Sequence, residues 1–112
     1  MKEDSRIEKR LFKIAEWGLQ YSTNPHVGYV YLLKPTHHNV FKIGCTTDLD
    51  RRLKTFQKTR NYKLEYVAAI WVDDCEELER YMHRKYKQYH LIGEWFVLPP
   101  STVDQFVIWG ES

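Results

Sequence analysis

Two tyrosines, a lysine and an arginine lie at short offsets from one another in the first half of the chain. Tyr29 and Tyr31 share one face if their segment is a strand, because side chains alternate along a strand. Lys42 follows Tyr31 by eleven residues, and Arg52 follows Lys42 by ten. A phenol can move a proton, a nearby ammonium favours its ionised form, and a guanidinium can hold a phosphate. These residue types suit chemistry at a phosphate group.

Arg52 is better placed for this chemistry than its neighbour Arg51. The helix predicted after Asp48 has a buried stripe made of Leu49, Leu53 and Phe56. On a helical wheel Arg52 falls at the border of that stripe, whereas Arg51 points away from it. Arg52 either lays its aliphatic stem along the core and keeps its charge in water, or grips a phosphate beside the sheet.

A carboxylate and an imidazole lie one helical turn apart in the second half of the chain. Glu79 and His83 flank the apolar stripe of a predicted helix. They form either a surface pair or part of a metal site. A single carboxylate suits Mg²⁺, which keeps most of its waters and also binds substrate phosphates.

A basic and aromatic patch follows Arg52 in the sequence. Its cations are Lys54, Lys58, Arg60 and Lys63, interleaved with Phe56 and Tyr62. Such a charge run is either a solvated helix face or a phosphate-binding surface, and its closeness to Arg52 fits the second alternative.

A predicted hairpin and helix position the first group of candidates. Val27 to Lys34 is rich in Tyr, Val and Leu and predicts a strand, and Val40 to Gly44 predicts the returning strand. Asp48 predicts the N-cap of a helix that runs to about Thr59.

The second half continues the alternation of strands and helices. Leu64 to Val72 is nearly all β-prone and predicts a central strand covered on both faces by helices. Asp73 or Asp74 predicts the cap of a helix that runs to about Tyr89. Glu94 to Leu98 predicts a short strand, and Ser101 to Trp109 predicts a last helix. With a helix that begins at Ser5 and ends before Pro25, the predicted order is α-β-β-α-β-α-β-α.

Length and composition indicate one domain of 112 residues with a net charge of +2. We expect residues 1–24 to form a helical extension and residues 25–112 the main domain. Cys45 and Cys75 are the only cysteines and predict free thiols. The charged N-terminus predicts no signal peptide, and no run approaches a membrane span. We therefore expect a cytoplasmic or nuclear protein that is not secreted.

Taken together, these residues resemble the GIY-YIG nuclease superfamily, over about Val27 to Leu98. The resemblance is carried by Gly28-Tyr29-Val30-Tyr31, Lys42-Ile43-Gly44, Arg52, Leu78-Glu79 and Gly93-Glu94-Trp95-Phe96. The combination is most similar to the Lys-Ile-Gly branch found in phage proteins and in the family named for a meiotically up-regulated gene. Tyr29 stands where the family name has glycine, and Lys42 where it has tyrosine.

The resemblance implies a small α/β (α+β) domain with a three-stranded antiparallel sheet flanked by helices. It also implies cleavage of DNA phosphodiesters with one divalent metal, Mg²⁺ or Mn²⁺, held by Glu79. Tyr31 would take a proton from the attacking water with help from Lys42. Arg52 would stabilise charge on the phosphate, and His83 would position a phosphate or a water. The expected substrate-binding residues are Tyr29, Lys54, Lys58 and Arg60.

Two function classes remain open from the sequence. The first is a metal-dependent endonuclease acting on DNA, with RNA as an alternative substrate. The second is a catalytically inactive nucleic-acid-binding or protein-interaction module on the same fold. The N-terminal helix is a candidate surface for a homodimer or a protein partner, or else a lid on the sheet.

Overall fold

An antiparallel sheet of five strands forms the centre of the domain in the computed structural model, which describes residues 26–111. The strands are β1 (Gly28–Pro35), β2 (Phe41–Thr46), β3 (Leu64–Val72), β4 (His90–Ile92) and β5 (Trp95–Phe96). The helices are α1 (Leu49–Gln57), α2 (Cys75–Lys85) and α3 (Pro100–Glu111). The predicted N-terminal helix lies outside the described residues. The described part is a small α+β domain.

The sheet has the order β3-β1-β2-β5-β4, and the expectation of three strands is wrong. β5 pairs with β2 through Phe41 and Lys42, and β4 then pairs with β5. β4 has only three residues, and all of them are exposed. So short and exposed a strand shows no alternation of apolar and polar residues, which explains why the sequence does not reveal it.

β3 is an edge strand, and its predicted central position is also wrong, although its bounds are confirmed. Only Leu64, Ile70 and Val72 are buried along it, and the residues between them are half-buried. Helix α3 packs against β3 so closely that a Cβ on Gly110 would lie 2.9 Å from the carbonyl oxygen of Ala69. The apolar run reflects cover by α3 on one face and by the helix Leu49–Gln57 on the other, so the prediction of helices on both faces is confirmed.

The two faces of the sheet carry different cores. The larger core includes Val30, Leu32 and Ile43 of the sheet, packed with residues of α2 and α3. On the opposite face Tyr31 and Leu33 pack with the apolar stripe of α1. Tyr31 and Lys42 lie on this second face, because both alternate with residues of the larger core.

Side-chain caps begin α1 and α2. The carboxylate of Asp48 accepts a hydrogen bond from the backbone N–H of Arg51 at 3.0 Å, and Asp74 accepts one from Glu77 at the same distance. Both caps agree with the sequence prediction. Helix α2 ends at Lys85, before a short 3₁₀ turn over Lys87–Tyr89, so it is shorter than predicted. None of the helices within residues 26–111 is long and apolar enough to cross a membrane.

Candidate functional site

The phenol of Tyr31 crosses directly over Gly44. The two residues are opposite partners in the β1–β2 pair. A Cβ on Gly44 would overlap the phenol oxygen and the ring of Tyr31, so any larger residue at position 44 would displace the phenol. The glycine of Lys42-Ile43-Gly44 therefore makes the space that holds the tyrosine side chain.

Burial and charge act on the phenol in opposite directions. Tyr31 is 2% exposed, and this burial raises its pKa above the ordinary 10.0. The guanidinium of Arg52 lowers the pKa, whereas the carboxylates of Glu94 and Glu79 raise it. Because burial dominates, the phenol is protonated at neutral pH, and Arg52 is the main group that favours its ionised form.

A second tyrosine joins α1 to the same site. The ring of Tyr66 lies edge-on to Tyr31, with 5.4 Å between the ring centres. Its hydroxyl donates a hydrogen bond of 2.7 Å to the carbonyl of Leu49, in the first turn of α1. Burial raises the pKa of Tyr66 to about 12, with Arg52 again opposing the effect. Tyr66 is absent from the sequence-based site because its strand is distant in sequence from the hairpin.

Arg52 lies on α1, where a pocket of about 340 Å³ opens at the start of the helix. The pocket is lined by Thr46, Thr47, Asp48, Arg51, Arg52 and Thr55. Arg51 is exposed and lies off the apolar stripe of α1, as predicted, but it still lines this pocket beside Arg52. The helical wheel relates each residue to the buried stripe, whereas this pocket forms at the helix end, against the loop that precedes it. Two guanidinium groups there suit an anionic ligand.

Lys42 is engaged by a carboxylate. Its Nζ lies 2.6 Å from Oε2 of Glu94, and its side chain is 14% exposed. The ammonium also lies 5.0 Å from the ring centre of Phe56 on α1. Lys42 is opposite Leu33 in the β1–β2 pair, two positions along β2 from the partner of Tyr31. It shares a face with Tyr31, while Arg52 is the cation that lowers the pKa of that phenol.

Glu79 and His83 both lie on α2, at the opposite face of β2. Nε2 of His83 donates a hydrogen bond of 2.8 Å to the backbone carbonyl of Ile43, and it lies 3.8 Å from Oε1 of Glu79. A carbonyl oxygen only accepts, so this nitrogen carries the proton. The ring of His83 also packs edge-on against Phe96, at 4.9 Å. His83 thus anchors α2 to β2 beside Glu79.

The thiol of Cys45 is a further neighbour of Glu79. It is hydrogen-bonded to the carboxylate, and burial raises its pKa. Cys45 and Cys75 are both free, as the sequence predicts. A thiol whose pKa is raised stays protonated and acts as a hydrogen-bond donor rather than as a nucleophile.

The four predicted substrate-binding residues do not share one environment. The ring of Tyr29 lies edge-on to Trp71 at 4.7 Å. Lys54 and Lys58 are exposed on and just after α1. Nη1 of Arg60 donates a hydrogen bond of 3.0 Å to the carbonyl of Phe56. This arginine therefore caps a backbone carbonyl in the last turn of α1.

The side chains around Glu79 can hold only a metal ion that needs few protein ligands. Within residues 26–111, no three His, Cys, Asp or Glu side chains are grouped so as to hold a metal ion. A site with one carboxylate is unsuited to zinc or calcium, which need three or more protein ligands. It is compatible with Mg²⁺ or Mn²⁺, because these ions accept one carboxylate together with waters and substrate phosphates.

Sequence reasoning missed four residues that surround the predicted ones, namely Arg51, Cys45, Tyr66 and Glu94. Glu94 was visible in the Gly-Glu-Trp-Phe motif, but its partner Lys42 lies on a strand fifty-two positions earlier. The backbone confirms this approach, since the N–H of Ile43 donates to the carbonyl of Glu94 at 3.1 Å. Only the pairing of β2 with β5 brings the two together.

The chain folds as a small α+β domain with a buried phenol, that of Tyr31. The charges of Arg52, Glu79 and Glu94 shift the pKa of this phenol. The chain belongs to the T5orf172 domain family, whose model matches residues 28–110. It is 39% identical over 72 residues to protein 315L of Invertebrate iridescent virus 6, which is named for a KilA-N domain. It is 36% identical over 86 residues to uncharacterized protein 460R of the same virus.

These alignments cover 61% and 72% of the chain but 31% and 39% of the two viral proteins. The chain thus spans less than two fifths of the length of either relative. Among solved structures, none matches the chain significantly.

Proposed function

We propose that this domain is a GIY-YIG-type endonuclease that hydrolyses DNA phosphodiester bonds with the help of one divalent metal ion. The observation that carries the proposal is the buried phenol of Tyr31, held over Gly44 under the charges of Arg52 and Glu79. Membership of the T5orf172 family and the relative named for a KilA-N domain support a DNA-binding or nuclease-like module.

Tyr31 is the general base in this proposal. A phenol that is protonated at rest must ionise before it can accept a proton from the attacking water. Arg52 favours that ionisation directly. Lys42 favours it indirectly, because it neutralises Glu94, a carboxylate that raises the pKa of Tyr31. Both cations therefore act in the same direction on the phenol.

Arg52 has a second role at the phosphate itself. Its side chain lines the pocket at the start of α1 together with Arg51. A guanidinium there can form paired hydrogen bonds to non-bridging phosphate oxygens and stabilise the charge that develops as the 3′ oxygen leaves. Lys54 lies farther along α1 and Lys58 just after its end, and both would contact neighbouring phosphates of the strand.

Glu79 is the proposed holder of the Mg²⁺ or Mn²⁺ ion. When bound, such an ion polarises the phosphoryl group and offsets its charge. The chain's own contribution is to fix the carboxylate. His83 holds α2 against β2 through the carbonyl of Ile43, and the Cys45 thiol donates to Glu79.

The test is cleavage of supercoiled, linear and single-stranded DNA in the presence of Mg²⁺, Mn²⁺ or EDTA. We expect nicking with either metal and none with EDTA. Arg52→Ala should slow cleavage by about a hundredfold or more, as expected for loss of a preorganised electrostatic group. Arg80→Ala is the matched control, because Arg80 is an exposed arginine next to Glu79 on α2. It should cleave like the wild type.

The alternative is a module that binds nucleic acid without cutting it. Wild-type protein that binds these DNAs and never nicks them, with either metal, would contradict the nuclease and support this alternative. Equal cleavage by Arg52→Ala and Arg80→Ala would contradict the role of Arg52.

A further inference from the structure

Tyr29 and Trp71 form an aromatic pair at one end of the sheet, on the face that carries Tyr31. They are opposite partners in the β1–β3 pair, and their rings meet edge-on at 4.7 Å and 74°. Both side chains are half-buried, and neither belongs to either of the two core clusters. The pair is therefore not needed to fill the interior of the part of the domain that is described.

The pair is continuous with the proposed phosphate site. Thr46 is the β2 partner of Tyr29, and it lines the pocket that contains Arg51 and Arg52. Tyr31 lies two residues from Tyr29 on the same strand face, which is about 7 Å along the strand. A nucleotide whose phosphate enters the pocket can thus place its base over the aromatic pair.

The exposed part of Trp71 is suited to stacking rather than to hydrogen bonding. Its indole Nε1 is buried and has no hydrogen-bond partner among residues 26–111. The N–H edge is consequently turned away from solvent. The position of Tyr29 is occupied by glycine in the GIY-YIG name, and glycine offers no ring, so this aromatic surface depends on the residue that this chain carries.

We propose that Tyr29 and Trp71 stack an unpaired base beside the cleaved phosphate, so that the substrate class is DNA with single-stranded or unstacked nucleotides. This inference rests on the proposed nuclease function. A base in an intact duplex has both faces covered by its neighbours, whereas an unpaired base can place one face on an aromatic ring. The arginines of the adjacent pocket supply the charge complementary to the phosphate.

The test measures binding in EDTA, where cleavage does not interfere. Fluorescence anisotropy gives the Kd for a labelled single-stranded oligonucleotide and for the same oligonucleotide in a duplex. Trp71→Leu should raise the single-strand Kd by about 5- to 100-fold, the range expected for loss of one stacked base, and leave the duplex Kd within about twofold. Trp71→Phe keeps an aromatic face and should restore most of the single-strand affinity.

Two further variants keep the test valid if Trp71→Leu does not fold. Tyr29→Leu and Tyr29→Phe repeat the comparison on the neighbouring strand, where Tyr29→Phe keeps the ring. Ile92→Ala is the control, because Ile92 is a 69% exposed apolar residue on β4, at the edge of the sheet opposite to β3. It should leave both Kd values unchanged. Circular dichroism checks that each variant is folded.

The outcomes separate this inference from the proposed function. Unchanged single-strand affinity in both Trp71→Leu and Tyr29→Leu, or an equal loss on single strand and duplex, overturns the stacking surface even where wild-type protein cleaves DNA. A selective single-strand loss in protein that never cleaves DNA supports the stacking surface and contradicts the nuclease.

Discussion

Gly44 and Tyr31 depend on each other, because the phenol occupies the space that a Cβ on Gly44 would need. In Gly44→Ala the phenol must move, and we expect a loss of about 1–3 kcal/mol in the free energy of unfolding, as for other overpacked sites. DNA cleavage should fall in the same variant, since the phenol proposed as the general base is displaced. Urea denaturation and a plasmid nicking assay measure the two effects.

A double-mutant cycle isolates the contact between these two residues. In a Tyr31→Leu background the clash is gone, so adding Gly44→Ala should cost less than about 0.5 kcal/mol, or even stabilise the strand. If Gly44→Ala costs the same in both backgrounds, the loss comes from the backbone and not from the phenol.

The raised pKa of Tyr31 predicts how cleavage depends on pH. Burial keeps the phenol pKa above 10.0, so the ionised fraction is small at neutral pH. As long as the pH stays below that pKa, this fraction increases about tenfold for each unit by which the pH is raised. The cleavage rate under single-turnover conditions should therefore increase with this slope between about pH 7 and 9. Residual cleavage by Tyr31→Phe should lack the slope. A flat profile for the wild type would contradict Tyr31 as the base.

At the scale of elements, the hydrogen bond from His83 to Ile43 is what joins α2 to β2 beside Glu79. His83→Phe leaves that carbonyl without its donor, and we expect a loss of about 1–3 kcal/mol in the free energy of unfolding. Cleavage should fall with it, because the helix that carries Glu79 keeps its apolar packing but loses this anchor beside the carboxylate. His83→Gln supplies an N–H donor and should recover part of both. Urea denaturation and plasmid nicking again provide the measurements.

His90 is a matched control for this prediction. Its Nε2 also contacts a carbonyl, that of Gly93 at 2.7 Å, and its ring also packs edge-on against Phe96. That hydrogen bond is exposed and local, so His90→Phe should cost less than about 0.5 kcal/mol. Equal losses from the two variants would show that His83 has no special anchoring role.

The bounds and caps of the elements could be predicted where the local sequence pattern determines them. The pairing of strands that are distant in sequence could not be predicted. The bounds of β3 and the caps at Asp48 and Asp74 follow from strand propensity and capping chemistry, and both are confirmed. The edge position of β3 and the existence of β4 depend on which strands meet. No local pattern encodes that choice.

The candidate site divides in the same way. Tyr31 and Arg52 were named from local features, Tyr31 from the β-prone run that contains it and Arg52 from its place beside the apolar stripe of its helix. The ion pair of Lys42 with Glu94 and the contact of Cys45 with Glu79 join elements that are distant in sequence. Both contacts require the fold, and the ion pair with Glu94 is the basis of the indirect role proposed for Lys42.

At the scale of the whole molecule, a net charge of +2 indicates that any DNA binding depends on local clusters rather than on overall charge. Within residues 26–111, cations cluster on α1 near the pocket of Arg51 and Arg52, while Glu79 lies across β2 on the other face. Arg52 and Glu79 both act on the phenol of Tyr31, which lies over Gly44. The central claim of this account is that one phosphate engages both residues beside that phenol.

The most direct measurement of that claim compares two glutamates of α2 in a supercoiled-plasmid nicking assay with Mg²⁺ or Mn²⁺. Glu79→Gln removes the proposed metal ligand, whereas Glu76→Gln alters an exposed carboxylate that pairs with His26 at 3.1 Å. We predict that wild-type protein and Glu76→Gln nick the plasmid, that EDTA stops both, and that Glu79→Gln is inactive while it remains folded. Nicking by Glu79→Gln at the wild-type rate, or nicking that EDTA does not affect, would contradict the account.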